Sequence, residues 1–155
     1  MDYNVRIASP EDEAAVFDLF VLMHEENGIF DLDEKKTENF IKMATDRRHG
    51  VIGVIEGEDG LEGMICLIPD QLWYSTKWFL NEVFNFVHPD HRRSTRAKAL
   101  ISFAKKISDD MEIPLILGVV SNYRTEAKVK LYERQFPKAG AFFIHNASAK
   151  VVNHG

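Results

Sequence analysis

Between Lys77 and Ile107 the chain changes its hydrophobic period across one short break, and that change dictates the local fold. Lys77–His88 is the longest strand candidate, dense in Phe and Val. Pro89-Asp90-His91 ends it. From about Thr95, the residues Ala97, Leu100, Ile101, Ala104 and Ile107 recur at helical spacing. The result is strand, turn, helix, and the turn is basic. Residues 91–106 hold six Lys or Arg and no acid, whereas residues 11–38 hold ten acids and two lysines. Such asymmetry points to a local anion site on an acidic body. Two solvated helix faces are the plainer reading. The first turn of a helix has free N–H groups and a partial positive charge. Beside Arg92, Arg93 and Arg96, it suits a phosphate or pyrophosphate. Ser94 or Thr95 capping those amides is the alternative.

The rest of the chain supplies a mixed α/β frame. Tyr3–Ala8 reads as a strand with Val5 and Ile7 on one face. Ser9-Pro10-Glu11-Asp12 is a helix start, with Ala14, Ala15, Val16, Leu19, Phe20 and Met23 continuing an apolar face. A second helix fits Asp33–Arg47, with Phe40, Ile41 and Ala44 inward. Val51–Glu56 and Leu61–Ile68 form a hairpin about Gly57-Glu58-Asp59-Gly60. Leu115–Val120 is an apolar strand, Thr125–Gln135 a helix, and Ala141–His145 a last strand. This order matches neither a Rossmann alternation nor a sandwich.

At 155 residues the chain is expected to form one domain, 1-155. A net charge of −5 argues against general nucleic-acid binding. The single cysteine, Cys66, excludes a disulfide framework or multi-cysteine zinc site. No apolar run reaches a membrane span and no signal peptide is visible, so a cytoplasmic protein is expected. The six histidines show no metal spacing, and no metal is expected. No Gly-x-Ser-x-Gly elbow supports a serine hydrolase.

Two motifs carry a resemblance to the GNAT-type N-acetyltransferases. Their signature follows Val-x-Pro-x-x-Arg with a glycine-rich turn, Arg/Gln-x-x-Gly-x-Gly/Ala. Here Val87-His88-Pro89-Asp90-His91-Arg92 matches the approach, and Arg92-Arg93-Ser94-Thr95-Arg96-Ala97 occupies the turn. Arg93 and Thr95 replace glycines, which restricts positive φ and close backbone approach. Downstream, Asn122, Ala127, Leu131-Tyr132-Glu133 and Gln135-Phe136 match a second family motif, with Gln135 in place of a glycine. The Glu82-x-Phe84-x-x-Val87-x-Pro89 strand further resembles the phage- and prophage-borne branch. The resemblance implies the GNAT fold, α/β (α+β). Its central sheet is mixed and mostly antiparallel, with helices on both faces and a splayed strand pair.

It also implies direct transfer of an acetyl or other acyl group from acetyl-CoA to a primary amine. In that reading Arg92, Arg93, Ser94, Thr95, Arg96 and Ala97 hold the pyrophosphate. Phe86 and Val87 offer backbone groups to the pantetheine, and Asn122 bonds that arm or the amine. Tyr132 matches the family's general acid; a core aromatic is the alternative. Glu82 is the candidate base, because a glutamate buried among Phe and Val has a raised pKa. A simple exposed charge is the alternative. Strand alternation places Glu82, Phe84 and Phe86 on one face and Asn85, without a role, on the other. Trp73 and Trp78 either line an acceptor groove or pack.

The expected partners are acetyl-CoA and an amine acceptor, with a homodimer as the candidate assembly and neither nucleic acid nor membrane. The acids of 11–38 hint at a cationic acceptor, although surface solvation explains them equally. The rival is a non-catalytic GNAT-fold module that binds a partner protein, supported by the missing glycines.

Overall fold

A computed structural model describes residues 2–121 and 123–145. The strands are β1 (Arg6–Ile7), β2 (Val51–Gly57), β3 (Gly60–Gln71), β4 (Trp78–Val87) and β5 (Leu115–Ile116). The helices are α1 (Glu13–Asn27), α2 (Glu34–Thr45), α3 (Arg96–Met111) and α4 (Thr125–Glu133). The strands lie side by side in chain order, antiparallel except for the parallel β4–β5 pair. The mixed, mostly antiparallel sheet expected from the sequence is therefore the one observed.

Alternating residues of β2 and β3 serve two cores. Ile52, Val54, Met64 and Cys66 pack against Val16 and Leu19 of α1 and Ile41 and Ala44 of α2. Val51, Ile55, Ile65 and Leu67 pack against Leu100 and Ala104 of α3 on the opposite face. Helices thus cover both faces, as period-2 patterning demands of a sheet buried on both sides. The helix starts follow the sequence signals. The Asp12 carboxylate accepts the Ser9 amide at 2.8 Å, and a short 3-10 turn, Pro10–Asp12, leads into α1. Asp33 caps α2 by accepting the Lys36 amide at 2.9 Å.

Three expectations fail. The first strand is reduced to Arg6–Ile7. The strand at Leu115–Val120 is reduced to Leu115–Ile116, because the chain beyond them leaves β4 and loses its ladder partner. Ala141–His145 forms no strand: it pairs with nothing in the sheet, and Phe142 and Phe143 are exposed.

One irregularity in β4 overturns the alternation argument. Cys66 pairs with Phe84, but Leu67 pairs with Glu82, so Val83 is an extra residue in a β-bulge. A bulge shifts every later side chain to the other face. Phe84 and Phe86 follow Cys66 and Met64 into the α1–α2 core. Glu82 and Asn85 instead share the α3 face, opposite Leu67 and Ile65.

The seating of α3 depends on a missing side chain. A Cβ on Gly53 would lie 2.5 Å from the Phe103 ring, so glycine lets α3 close on the sheet. Gly53→Val is expected to destabilise the fold by about 1–3 kcal/mol through overpacking. Urea unfolding measures this, and an unchanged midpoint would mean that α3 is not held by this contact.

Candidate active site

β4 and β5 pair only at Leu80–Leu115 and Asn81–Ile116, and then part. Among the described residues, the edge of β4 facing β5 has no strand partner from Glu82 to Val87, so the expected splay is present. A cleft of about 710 Å³ occupies the split. Its walls are β4, the segment after β5, one side of α4, and the end of α1 with the loop after it.

At the closed end of the split, a Glu82 carboxylate oxygen accepts the Gly118 amide at 3.0 Å, bridging the two departing strands. The Tyr132 hydroxyl lies beside the same carboxylate and accepts from Asn85 Nδ2 at 3.1 Å. The phenol therefore accepts one hydrogen bond from Asn85 and carries its own proton beside the Glu82 carboxylate. Burial raises the Glu82 carboxyl to about 7, while the Gly118 and Tyr132 donors hold it lower than burial alone would. Burial, with the Glu82 charge next, pushes the Tyr132 phenol above its ordinary value, so it stays protonated. The structure brings Glu82 and Tyr132 together and adds Asn85, which strand alternation had left without a role. The signal for Asn85 was the bulge, which the sequence does not display.

The basic turn begins at the open end of β4. Phe86, Val87, Arg92 and Ala97 line the cleft. The Phe86 side chain is in the core, and the Val87 carbonyl accepts from Arg92 Nε at 3.3 Å. The Arg92 guanidinium lies over the Phe86 ring and binds both carboxylate oxygens of Glu26 at 2.8 and 2.9 Å. Arg93, Ser94, Thr95 and Arg96 are not on the cleft wall.

Arg96 departs furthest from expectation. Its guanidinium pairs with Glu62 at 2.8 Å and stacks over Tyr3, so it ties the helix start to β3 and the N-terminal segment. Buried opposite charge outcompetes solvent for it. Ser94 takes the capping role: its Oγ accepts the Arg96 amide at 3.3 Å and donates to the His91 carbonyl at 2.9 Å. Arg93 adopts the left-handed backbone, φ 61°, where the family has glycine. Thr95 sits at φ −90° and needs no glycine. Asn122 lies outside the described residues.

Lys128 was missed. It lines the cleft from α4, and its ammonium bonds Asn27 Oδ1 and, at 3.0 Å, Ser121 Oγ. Burial lowers it to about 8. Of the ten acids between 11 and 38, only Glu26 reaches the cleft, and Arg92 already holds it. The rest give no support to a cationic acceptor. Trp73 and Trp78 neither line the cleft nor pack inside, since both are exposed. Among the described residues no group of three or more His, Cys, Asp or Glu could hold a metal, and no helix is long and apolar enough to cross a membrane.

No protein-family model matches the sequence, and no curated protein matches it. Solved structures do match. A possible acetyltransferase from Clostridium difficile 630 superposes with a TM-score of 0.71 at 19% identity, over 95% of this chain and 98% of its own. The ribosomal-protein-alanine N-acetyltransferase of Brucella melitensis biovar Abortus 2308 gives 0.69 at 16%, over 93% and 99%. A GNAT family acetyltransferase of Staphylococcus aureus subsp. aureus USA300_TCH1516 gives 0.66 at 11%, over 95% and 100%. The chain has the GNAT fold. In that fold the first sequence motif falls on the β4–α3 turn, and Ala127 and Leu131-Tyr132-Glu133 of the second fall on α4, the two sides of the split.

The Glu82 carboxyl has a direct consequence for stability. Its folded value, about 7, exceeds its ordinary 4.5, so the folded state holds this proton longer than the unfolded chain. Stability from this group is greatest below about pH 4.5 and is lost as pH rises to about 7. Glu82→Gln, which can still accept the Gly118 amide, is expected to melt above the parent at pH 8. The difference should shrink toward pH 4.5. A gap that does not vary with pH would show that Glu82 titrates normally.

Proposed function

We propose that the chain is a single acyltransferase domain, 1-155, that moves an acetyl or other acyl group from acetyl-CoA directly to a primary amine. The observation that carries this reading is the Glu82–Tyr132–Asn85 cluster at the closed end of a split sheet, within the GNAT fold. A pantetheine arm has amides that can pair with the strand-free edge of β4 at Phe86 and Val87, as another strand would, in exchange for the Arg92 contact on the Val87 carbonyl. The turn from Arg92 to Ala97 receives the pyrophosphate at the open end, with Arg93 and Ser94 shaping it and Arg96 anchoring its helix. Thr95 and Asn122 are assigned to the donor by the family motifs.

The proton path follows from the hydrogen bonds. An amine enters as an ammonium and must lose a proton before its nitrogen attacks the thioester carbonyl. Glu82, held at about 7, is ionised above neutral pH and accepts that proton. The C–N bond forms and the C–S bond breaks, leaving a thiolate whose thiol has a pKa of about 8.5. Tyr132 donates its proton to the sulfur and recovers one from Glu82 beside it. No phenolate accumulates, which matters because burial makes that phenolate costly. Proximity of amine and thioester supplies much of the remaining acceleration.

The rival reading, a module that binds a partner protein without catalysis, rested on the missing glycines. Arg93 takes the left-handed conformation itself, and Thr95 does not require it, so that support is gone.

Thiol release from acetyl-CoA, followed across a panel of primary amines, tests the proposal. Turnover with at least one amine is expected, rising with pH through about 7. Tyr132→Phe should lower kcat by about a hundredfold while CoA binding persists. Glu82→Gln should remove the rise near pH 7. CoA binding without turnover on any amine would favour the non-catalytic reading. Full activity in both variants would leave catalysis to positioning alone.

A further inference from the structure

Arg124, Lys128 and Tyr132 stand four residues apart at the start and along one side of α4, and all three line the cleft. Tyr132 belongs to the reacting cluster. The other two are cations that the proton path does not use. The Lys128 ammonium is half-buried, and its bonded partners, Asn27 Oδ1 and Ser121 Oγ, are neutral. Asn27 is turned for this contact, because its Nδ2 donates to the Met23 carbonyl at 3.1 Å within α1. Among the described residues no carboxylate lies within ion-pair distance of Lys128 or Arg124. Glu26 is the acid whose charge reaches Lys128, but Arg92 holds both its oxygens. Burial pulls the ammonium down to about 8, against the attraction of Glu26 and with smaller repulsions from Arg92 and Arg124. A half-buried charge whose nearest acid is already held by another cation is relieved when a further anion arrives.

We infer that Arg124 and Lys128 form an oxyanion subsite on the α4 wall, apart from the Arg92–Ala97 turn, that holds a phosphate group of the bound donor. Position favours phosphate over a carboxylate on the acceptor. From Tyr132, the two cations step away from the reacting cluster, and Lys128 lies near enough to Arg92 to feel its charge. The phosphate end of the cleft would thus be gripped from both walls. The identity of the donor rests on the acyl-CoA reading; the anion site itself does not.

Calorimetry with CoA, pantetheine and inorganic pyrophosphate, on the parent and on Lys128→Met, Lys128→Arg and Arg124→Gln, separates the two. Lys128→Met should weaken CoA by about tenfold or more, the size of one charge-assisted contact. Lys128→Arg should restore most of that affinity, and pantetheine, which carries no phosphate, should bind all four proteins alike. Among the described residues Arg124 makes no side-chain ion pair, so Arg124→Gln is expected to keep the fold and still weaken CoA several-fold. Unchanged CoA affinity in both Lys128→Met and Arg124→Gln overturns the subsite and leaves the acyl-CoA reading standing. Equal losses for CoA and pantetheine also overturn it, since they assign Lys128 to packing. A parent that binds pyrophosphate through Lys128 but not CoA keeps the subsite and removes the acyl-CoA reading. A parent that binds neither removes both.

Discussion

The extra residue at Val83 governs the site. A regular β4 would send Glu82 to the α1–α2 face with Phe84 and Phe86, and Asn85 alone to the α3 face. The bulge turns Glu82 and Asn85 to one side, where α4 supplies Tyr132. Bulges also increase local twist, and here β5 departs directly beside this point. Departing strands leave backbone groups without partners, which burial penalises. Glu82 satisfies one of them, the Gly118 amide. One carboxylate therefore both closes the split and takes on a raised pKa from its burial. Its structural and chemical roles share a cause.

Charge at the other end of the cleft follows a different logic. Arg92 is neutralised by Glu26, and Arg96 is spent on Glu62 and Tyr3. Among the described residues no carboxylate lies within ion-pair distance of Lys128 or Arg124, although the charge of Glu26 reaches Lys128. A donor phosphate approaching the turn would compete with Glu26 for Arg92, whereas at Lys128 it would displace only neutral partners. The turn is thus built more for holding α1 and β3 in place than its arginine count suggests. The α4 wall holds the less compensated charge.

Much of this was legible in the sequence. The strand–turn–helix at Lys77–Ile107, the β2–β3 hairpin and the α2 cap follow from local patterns that the packing respects. Tyr132 is nameable from its motif, and Glu82 from its place in an apolar strand. Their contact is not, because one inserted residue changes no composition and yet reverses a face. Lys128 was invisible for another reason: its partner Asn27 lies 101 residues away. Arg96 looked like its neighbours until Glu62, on β3, came within reach. Leu115–Val120 and Ala141–His145 had strand composition, but a strand needs a partner, and the split removes it from the first while the sheet gives none to the second.

A crystal structure with bound CoA tests whether the split beside the bulge is where an acyl donor lies. The pantetheine is expected between β4 and the segment after β5, with its sulfur within hydrogen-bond reach of the Tyr132 hydroxyl. CoA bound on another surface, or in the cleft with its sulfur turned away from Tyr132 and Glu82, would contradict it.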